Sequence, residues 1–294
     1  MAYLDQPYTI ERDTADLYVE QVGPEDAPAV YYLHGGPGYD SFSFRDLNGE
    51  DLEQYRMIYA DQRGSGRSYA SVDFGLNELV QDVLTTLDAL KVEKTTLLAH
   101  GFGALIAVRA AVLAPLQVER LVLVNPWFSM PMLARAMQRE AAVASGRGDQ
   151  ALPPETALAD GGADLDPEEV IDQAFEMMPA KQIFDRMQFP DPSSRLRLEH
   201  SDSEALFGPH ASAMPHHPWR LEVTDELELV KAPTIIMGGK LDRTSFPEQV
   251  ELGLERVPGA LFSMLDSGHY PWLDSPDEFL EVFAESMKAQ SPAG

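Results

Sequence analysis

Cysteine is absent from the 294 residues, which excludes a disulfide framework, a thiolate metal site and a cysteine nucleophile. Basic residues are scarce. Lys and Arg number 22 against 48 Asp and Glu, a net charge of −26 with His neutral. Such a surface repels phosphate backbones and anionic headgroups, so neither nucleic acid nor a membrane surface is an expected partner. The charge serves solubility, or it suits a substrate with a positive end such as a free amine. Long hydrophobic runs are missing as well. The most apolar stretch, Leu105–Leu116, includes Arg109 and is too short for a membrane span. The opening MAYLDQPYTIERD has neither the basic start nor the apolar run of a secretory signal, and a cytoplasmic location is expected. What is present is enough apolar material for a sizeable core, 44% hydrophobic with 9% aromatic. The length suits about two domains, or one large α/β domain carrying an insertion.

The periodicity alternates between two kinds of element. Extended stretches are expected around Tyr8–Arg12 and Leu17–Val22, split by Asp13-Thr14. Short apolar runs at Ala29–Leu33, Arg56–Ala60, Thr95–Ala99, Leu121–Val124, Thr234–Met237 and Leu261–Leu265 read as buried strands. Between them, Leu76, Leu79, Val80, Val83, Leu84, Leu87 and Leu90 form one helical face, with Asn77 as its expected cap. Gly103–Ala114, Pro247–Arg256 and Pro276–Lys288 also read as helices. From Pro126 to about Asp225 strands disappear. Helices are expected there at Pro131–Ser145, Pro167–Met178 and Ala180–Met187. The fold class is α/β: a mostly parallel sheet with helices on both faces and an inserted helical lid. The expected division is core residues 1–126, lid 127–225 and core 226–294.

Four motifs sit at the carboxyl ends of strands, where open α/β sheets place their sites. His34-Gly35-Gly36-Pro37-Gly38 leaves backbone N–H groups uncovered, and it reads either as an oxyanion loop with Gly36 as one donor or as a tight turn. Asp61-Gln62-Arg63-Gly64-Ser65-Gly66-Arg67-Ser68 reads as a turn braced by an Asp61–Arg63 pair. Ala99-His100-Gly101-Phe102-Gly103 has the strand-to-helix context of the G-x-S-x-G nucleophile elbow, with Gly101 at the serine position and the Phe102 N–H placed as second oxyanion donor. Asp242 and then His269, each after a late strand, follow in the chain order of such a site's acid and base. His210, His216 and His217 match no helical metal-ligand pair, so no metal is expected.

The chain resembles the α/β-hydrolases of the prolyl iminopeptidase branch. HGGPG followed by a strand and DQRGSGRS carries the resemblance, which covers about residues 5–125 and 230–290. It implies a serine hydrolase acting on N-terminal residues of small peptides, or a related esterase or amidase, with no cofactor. Gly36 maps to the oxyanion loop, Gly101 to the nucleophile, Asp242 to the acid and His269 to the base. The chain departs from that family in three places. Its serine is Gly101, its usual Trp after the serine is Phe102, and the lid keeps only Glu199, in Arg197-Leu198-Glu199-His200, as a candidate for binding an ammonium group. Without a hydroxyl at residue 101 no acyl-enzyme can form, and the chain as it stands is expected to be inactive in that chemistry. Either an engineered replacement removed a serine, which the retained Asp242 and His269 favour, or this is a natural member whose chemistry was lost or changed. The alternative function is a non-catalytic protein that binds a small ligand under its lid.

Overall fold

Continuous apolar runs make the centre of the sheet because both of its faces are covered. The computed structural model describes residues 2–71, 74–154, 165–204 and 217–288. Its strands are β1 (Tyr3–Arg12), β2 (Ala15–Pro24), β3 (Ala29–Leu33), β4 (Arg56–Ala60), β5 (Tyr69–Ala70), β6 (Thr95–His100), β7 (Val118–Val124), β8 (Thr234–Gly239) and β9 (Leu261–Leu265). Among the described residues they form one nine-stranded sheet in the order β1-β2-β4-β3-β6-β7-β8-β9, with β5 paired on β2. β1, β2 and β4 pair antiparallel, and every pairing from β4 through β3 to β9 is parallel.

Side chains alternate between two cores, as the two-residue period of a strand requires. Tyr31, Leu33, Leu97, Ala99, Leu121, Leu123 and Ile236 point to one, shared with helices α2 (Leu76–Ala89) and α3 (Gly103–Leu113). Val30, Tyr32, Leu98, Val122, Val124, Ile235 and Met237 point to the other. That second core also holds Phe44 from α1 (Phe42–Asn48), and Phe279 and Phe283 from α10 (Pro276–Lys288).

Strand order reverses at β3. The chain passes from β3 outward to β4 and later returns on the other side as β6, so a crevice opens where the loops after β3 and β6 part. Register then lines up the strand ends. Leu33 lies beside Ala99, His100 beside Val124, Val124 beside Met237, and Gly239 beside Leu265. Three of the four motifs therefore leave this run of parallel strands at one edge, and the fourth follows β4 on its flank.

Between β7 and β8 the described residues form α4 (Met130–Ala144), α5 (Pro167–Met177), α6 (Ala180–Gln188) and α7 (Pro192–Glu204). α8 (Glu248–Arg256) and α9 (Pro271–Asp274) complete the set. Two local expectations need correction. The cap of α2 is Gly75 rather than Asn77, whose side-chain oxygen instead accepts from Arg109 Nη1 at 3.1 Å. The sequence pattern also does not predict α1 or α7. α7 is largely polar, with Leu198 buried and Leu196 exposed, so it lacks the apolar stripe that reveals a surface helix.

Candidate active site

The loops after β8 and β9 bring a carboxylate to an imidazole. His269 Nδ1 lies 2.8 Å from Asp242 Oδ2, and the two residues are 2% and 0% exposed. Asp242 Oδ1 accepts from the Thr244 backbone N–H at 2.8 Å and from its hydroxyl at 2.6 Å. With its proton directed to Asp242, the Thr244 oxygen can accept from the Trp127 indole N–H at 3.3 Å and from His269 Nδ1 at 3.2 Å. Both partners of Nδ1 are acceptors, which assigns the ring proton to Nδ1 and leaves a lone pair on Nε2. Trp127 stacks on the ring with centroids 5.3 Å apart at 19°, and His100 packs 4.3 Å away. Burial, together with the neighbouring His269, pushes His100 well below the ordinary histidine value. His100 is therefore neutral, and its Nε2 donates to the His269 carbonyl at 2.9 Å.

Nε2 faces Gly101. This residue makes the turn after β6 at φ +49°, in the left-handed region that glycine enters without steric cost. A Cβ built there would stand 3.1 Å from His269 Nε2 and 3.8 Å from Trp127. A side chain at residue 101 would thus point at the imidazole. Phe102 follows as the N-cap of α3. Gly103 lets the first turn of α3 lie against the β3 loop, since a Cβ there would meet the Leu33 carbonyl oxygen at 2.4 Å. Among the described residues neither the Gly36 nor the Phe102 backbone N–H has a hydrogen-bond acceptor.

A cavity of about 420 Å³ opens above these groups. Gly36, Tyr39, His100, His269 and Tyr270 come from the strand-end loops, and Phe175, Phe184 and Trp219 come from the segment between β7 and β8. No carboxylate stands among the described wall residues. Glu199 is not brought to it. Its carboxylate is 43% exposed and pairs with Arg195 Nη2 at 2.9 Å and Lys181 Nζ at 3.5 Å. Arg195 lies one helical turn before it on α7, so the two share a face of that helix. His210 and His216 lie outside the described residues, and His217 pairs with Glu168.

The description "Alpha/beta hydrolase family" matches residues 30–282 of the chain. The chain belongs to the α/β hydrolase family. A solved structure of a proline iminopeptidase-related protein from Thermus thermophilus superposes with a TM-score of 0.81 at 34% identity, covering 98% of this chain and 99% of that one. The chain is 22% identical to 3-oxoadipate enol-lactonase 1 of Acinetobacter baylyi over 95% of both proteins. It is also 22% identical to a proline iminopeptidase of Heyndrickxia coagulans, over 88% of this chain and 90% of that enzyme. Identity reaches 36% in a match of 113 residues, which spans 42% of that relative's length.

Several residues that hold this candidate site together carry no motif. Asn125, at φ +43°, accepts from the Gly239 N–H at 2.7 Å and donates to the Gly268 and His269 carbonyls at 3.0 and 2.9 Å. It thus ties the end of β7 to the loops that carry both Asp242 and His269. The end of α6 ties the same two loops: the Met187 carbonyl accepts from the Arg243 N–H and the Gln188 carbonyl from the His269 N–H, each at 2.9 Å. Only Trp127 offered a sequence signal, as an aromatic directly after a strand and a proline.

The DQRGSGRS turn braces the β3 loop, but by a different pair from the one expected. Asp61 pairs with Arg67, whose Nε and backbone N–H lie 2.7 and 2.8 Å from Oδ2. Gly66, at φ +49°, permits this return, since a Cβ there would meet Asp61 Oδ2 at 2.5 Å. Burial alone would raise the Asp61 carboxyl, but the Arg67 hydrogen bonds and charge outweigh it and hold the group below its ordinary value. Arg63 runs instead to α2 and grips Asp82 at 2.6 and 2.7 Å. Gln62 completes the brace by donating its backbone N–H to His34 Nε2 at 2.9 Å and its side-chain amide to the His34 carbonyl at 2.8 Å.

Asp40, beside this turn, is pushed up to about 7 by burial and by the Asp61 charge, with Asp202 adding to the rise and Arg67 opposing it. The folded chain therefore keeps a proton that the unfolded chain loses above its lower pKa. This carboxyl costs stability as pH rises from about 4 to 7. Asp40→Asn retains an acceptor for the Phe42 N–H. It should raise Tm by a few degrees at pH 8, on the order of 1–2 kcal/mol, and should lose that advantage at pH 4. Melts at the two pH values check it.

Proposed function

We propose that this is the acyl-transfer site of a serine-type ester or amide hydrolase for apolar acyl groups, with glycine standing at the nucleophile position and the segment between β7 and β8 acting as its lid. The single observation that carries the reading is Gly101 beneath a His269 whose Nδ1 is bound to Asp242. In the serine-bearing form, His269 Nε2 would take the hydroxyl proton and return it to the leaving group. Asp242 would hold the ring tautomer, and the Gly36 and Phe102 N–H groups would bind the oxyanion. Trp127 and Thr244 are positioning residues, acting through the ring and the carboxylate.

The wall chemistry favours the esterase or amidase arm over the aminopeptidase arm. A substrate ammonium calls for a carboxylate within reach, and the described wall offers aromatic rings. Asp202 accepts a hydrogen bond from the hydroxyl of the wall residue Tyr39 and does not itself line the cavity. The test is a panel on Gly101→Ser: aryl esters of apolar acids against aminoacyl amides with free and with blocked amines. Turnover of the apolar esters supports the reading. A strict need for a free amine would return the site to the aminopeptidases.

A further inference from the structure

We propose that a second cavity, between α4 and the loop after β8, is a binding site for a small organic carboxylate with an apolar body, its charge held by the Arg139 guanidinium. The cavity measures about 250 Å³. Its wall is built by α4, by Met187 near the end of α6, by residues 243–247 and by the first residues of α8. It shares no described wall residue with the larger cavity, and neither Asp242 nor His269 lines it. Thr244 does line it and also bonds Asp242, which puts the two sites side by side. The inference goes beyond the hydrolase reading and does not rest on it.

One cation of this wall has bonding capacity to spare. Arg139 Nη2 donates to Glu248 Oε1 at 2.7 Å, whereas Nη1 is buried and has no hydrogen-bond partner among the described residues. A buried donor left unpaired costs free energy that an incoming acceptor returns. The side chain as a whole is 28% exposed, so a small turn of the guanidinium presents Nη1 to the cavity. The other polar groups are engaged. Ser245 donates to the Pro126 carbonyl at 2.8 Å, and Gln249 accepts from the Phe128 and Ser129 N–H groups and donates to the Ser129 carbonyl. Each oxygen of Glu140 already holds a guanidinium, Arg186 Nε at 2.7 Å and Arg243 Nη1 at 2.5 Å. In the ion pairs around this wall Arg139, Arg186 and Arg243 thus meet only Glu140 and Glu248. That local excess is positive in a chain of net charge −26, and at physiological salt more distant charges are screened beyond about 8 Å. An anion suits it, and a planar carboxylate matches the fork of a guanidinium.

The rest of the cavity sets the ligand's body. Met132, Ala136, Val143, Met187 and Phe246 supply apolar surface, and the volume suits a short alkyl chain or a single ring. A neutral amide of the same shape would keep that contact but lose the charge-assisted bonds, each roughly twice as strong as a neutral one. Inorganic phosphate would keep the charge and lose the apolar contact. The predicted selectivity is therefore for the acid over both.

The experiment is titration calorimetry of the full chain at pH 7 with hexanoate and benzoate, each against its primary amide, and with inorganic phosphate. The expected result is binding of one acid at least about tenfold tighter than its amide and than phosphate. Arg139→Met should abolish the preference for acid over amide. Arg139→Lys, which keeps the charge without the fork, should weaken acid binding at least about threefold. Ala136→Leu fills the cavity from α4 without touching a charge, and it should weaken acid binding at least about tenfold. Thermal melts establish which variants are folded, and should Arg139→Met fail to fold, Arg139→Lys and Ala136→Leu decide. No binding of either acid at millimolar concentration, equal affinity for acid and amide, or phosphate binding as tight as the acid overturns the proposal. So does acid binding that survives unchanged in the Arg139 and Ala136 variants, which would place the ligand in the larger cavity. Failure of the hydrolase reading shows separately, as a Gly101→Ser variant without turnover.

Discussion

Gly101→Ser should hydrolyse activated aryl esters of apolar acids at least about 10³-fold faster than the unmodified chain. In a serine protease dissected this way, losing the nucleophile cost about 10⁶ in kcat, and the remaining site still exceeded water by about 10³–10⁴. That loss is the ceiling for the gain here. The gain should fall short of it, because the imidazole sits close over the glycine: a Cβ would be 3.1 Å from Nε2, so the ring must yield by a few tenths of an ångström. Stability should fall at the same time. A residue with a Cβ in the left-handed region costs about 1–2 kcal/mol, and loss of glycine's unfolded-state freedom returns about 0.4–1 kcal/mol. The net effect is a destabilisation of about 1 kcal/mol. Gly101→Ala should lose stability similarly and gain no turnover. A denaturant melt and an ester assay on both variants measure the two effects. A Ser variant as inert as the Ala variant on a broad ester panel would refute the hydrolase reading and favour a protein that only binds.

Asn125→Ala should lower stability by about 3 kcal/mol. The side chain is fully buried, and its removal strips the buried Gly239 N–H of its acceptor, while the Gly268 carbonyl keeps the Ser267 hydroxyl at 3.1 Å. The His269 carbonyl keeps the His100 bond. Leaving a buried polar group unpaired costs about 1–3 kcal/mol, and alanine at φ +43° adds about 1 kcal/mol of strain. Asn125→Gly separates the two contributions, because glycine removes the hydrogen bonds without the strain. It should be the more stable of the two variants by about 1 kcal/mol. In the Gly101→Ser background either change should reduce kcat at least tenfold with little effect on KM, since the loosened loop carries His269 while the cavity wall stays largely intact. Equal stability of the Ala variant and the parent would show that water replaces the side chain without penalty.

The strands and the order of the chemical groups were legible from the sequence because they rest on short-range rules. Ala29–Leu33, Arg56–Ala60 and Leu261–Leu265 emerge with the bounds that their apolar runs imply. The glycine at residue 101 could be read as a missing nucleophile because a strand, a small-residue helix and a following glycine surround it. Family membership followed from HGGPG and DQRGSGRS in sequence. The pairing inside the second motif was not legible. Asp61, Arg63 and Arg67 are close along the chain, and which arginine turns back depends on the backbone at Gly66 and on Asp82 waiting on α2.

Tertiary structure decided the rest, because the deciding contacts join residues far apart along the chain. Asn125 meets the His269 carbonyl across 144 positions, and Trp127 meets Thr244 across 117. No local pattern marks such partners: an asparagine after a strand usually ends in solvent, and here parallel register carries it between two loops. The same holds for the cavity. Glu199 was the carboxylate that motif reasoning could offer, but a helix gives each side chain a fixed direction, and α7 turns this one toward Arg195 and Lys181. The order of Gly101, Asp242 and His269 was written in the sequence. The cavity wall, aromatic among the described residues, arises only when residues from the segment between β7 and β8 meet the strand-end loops.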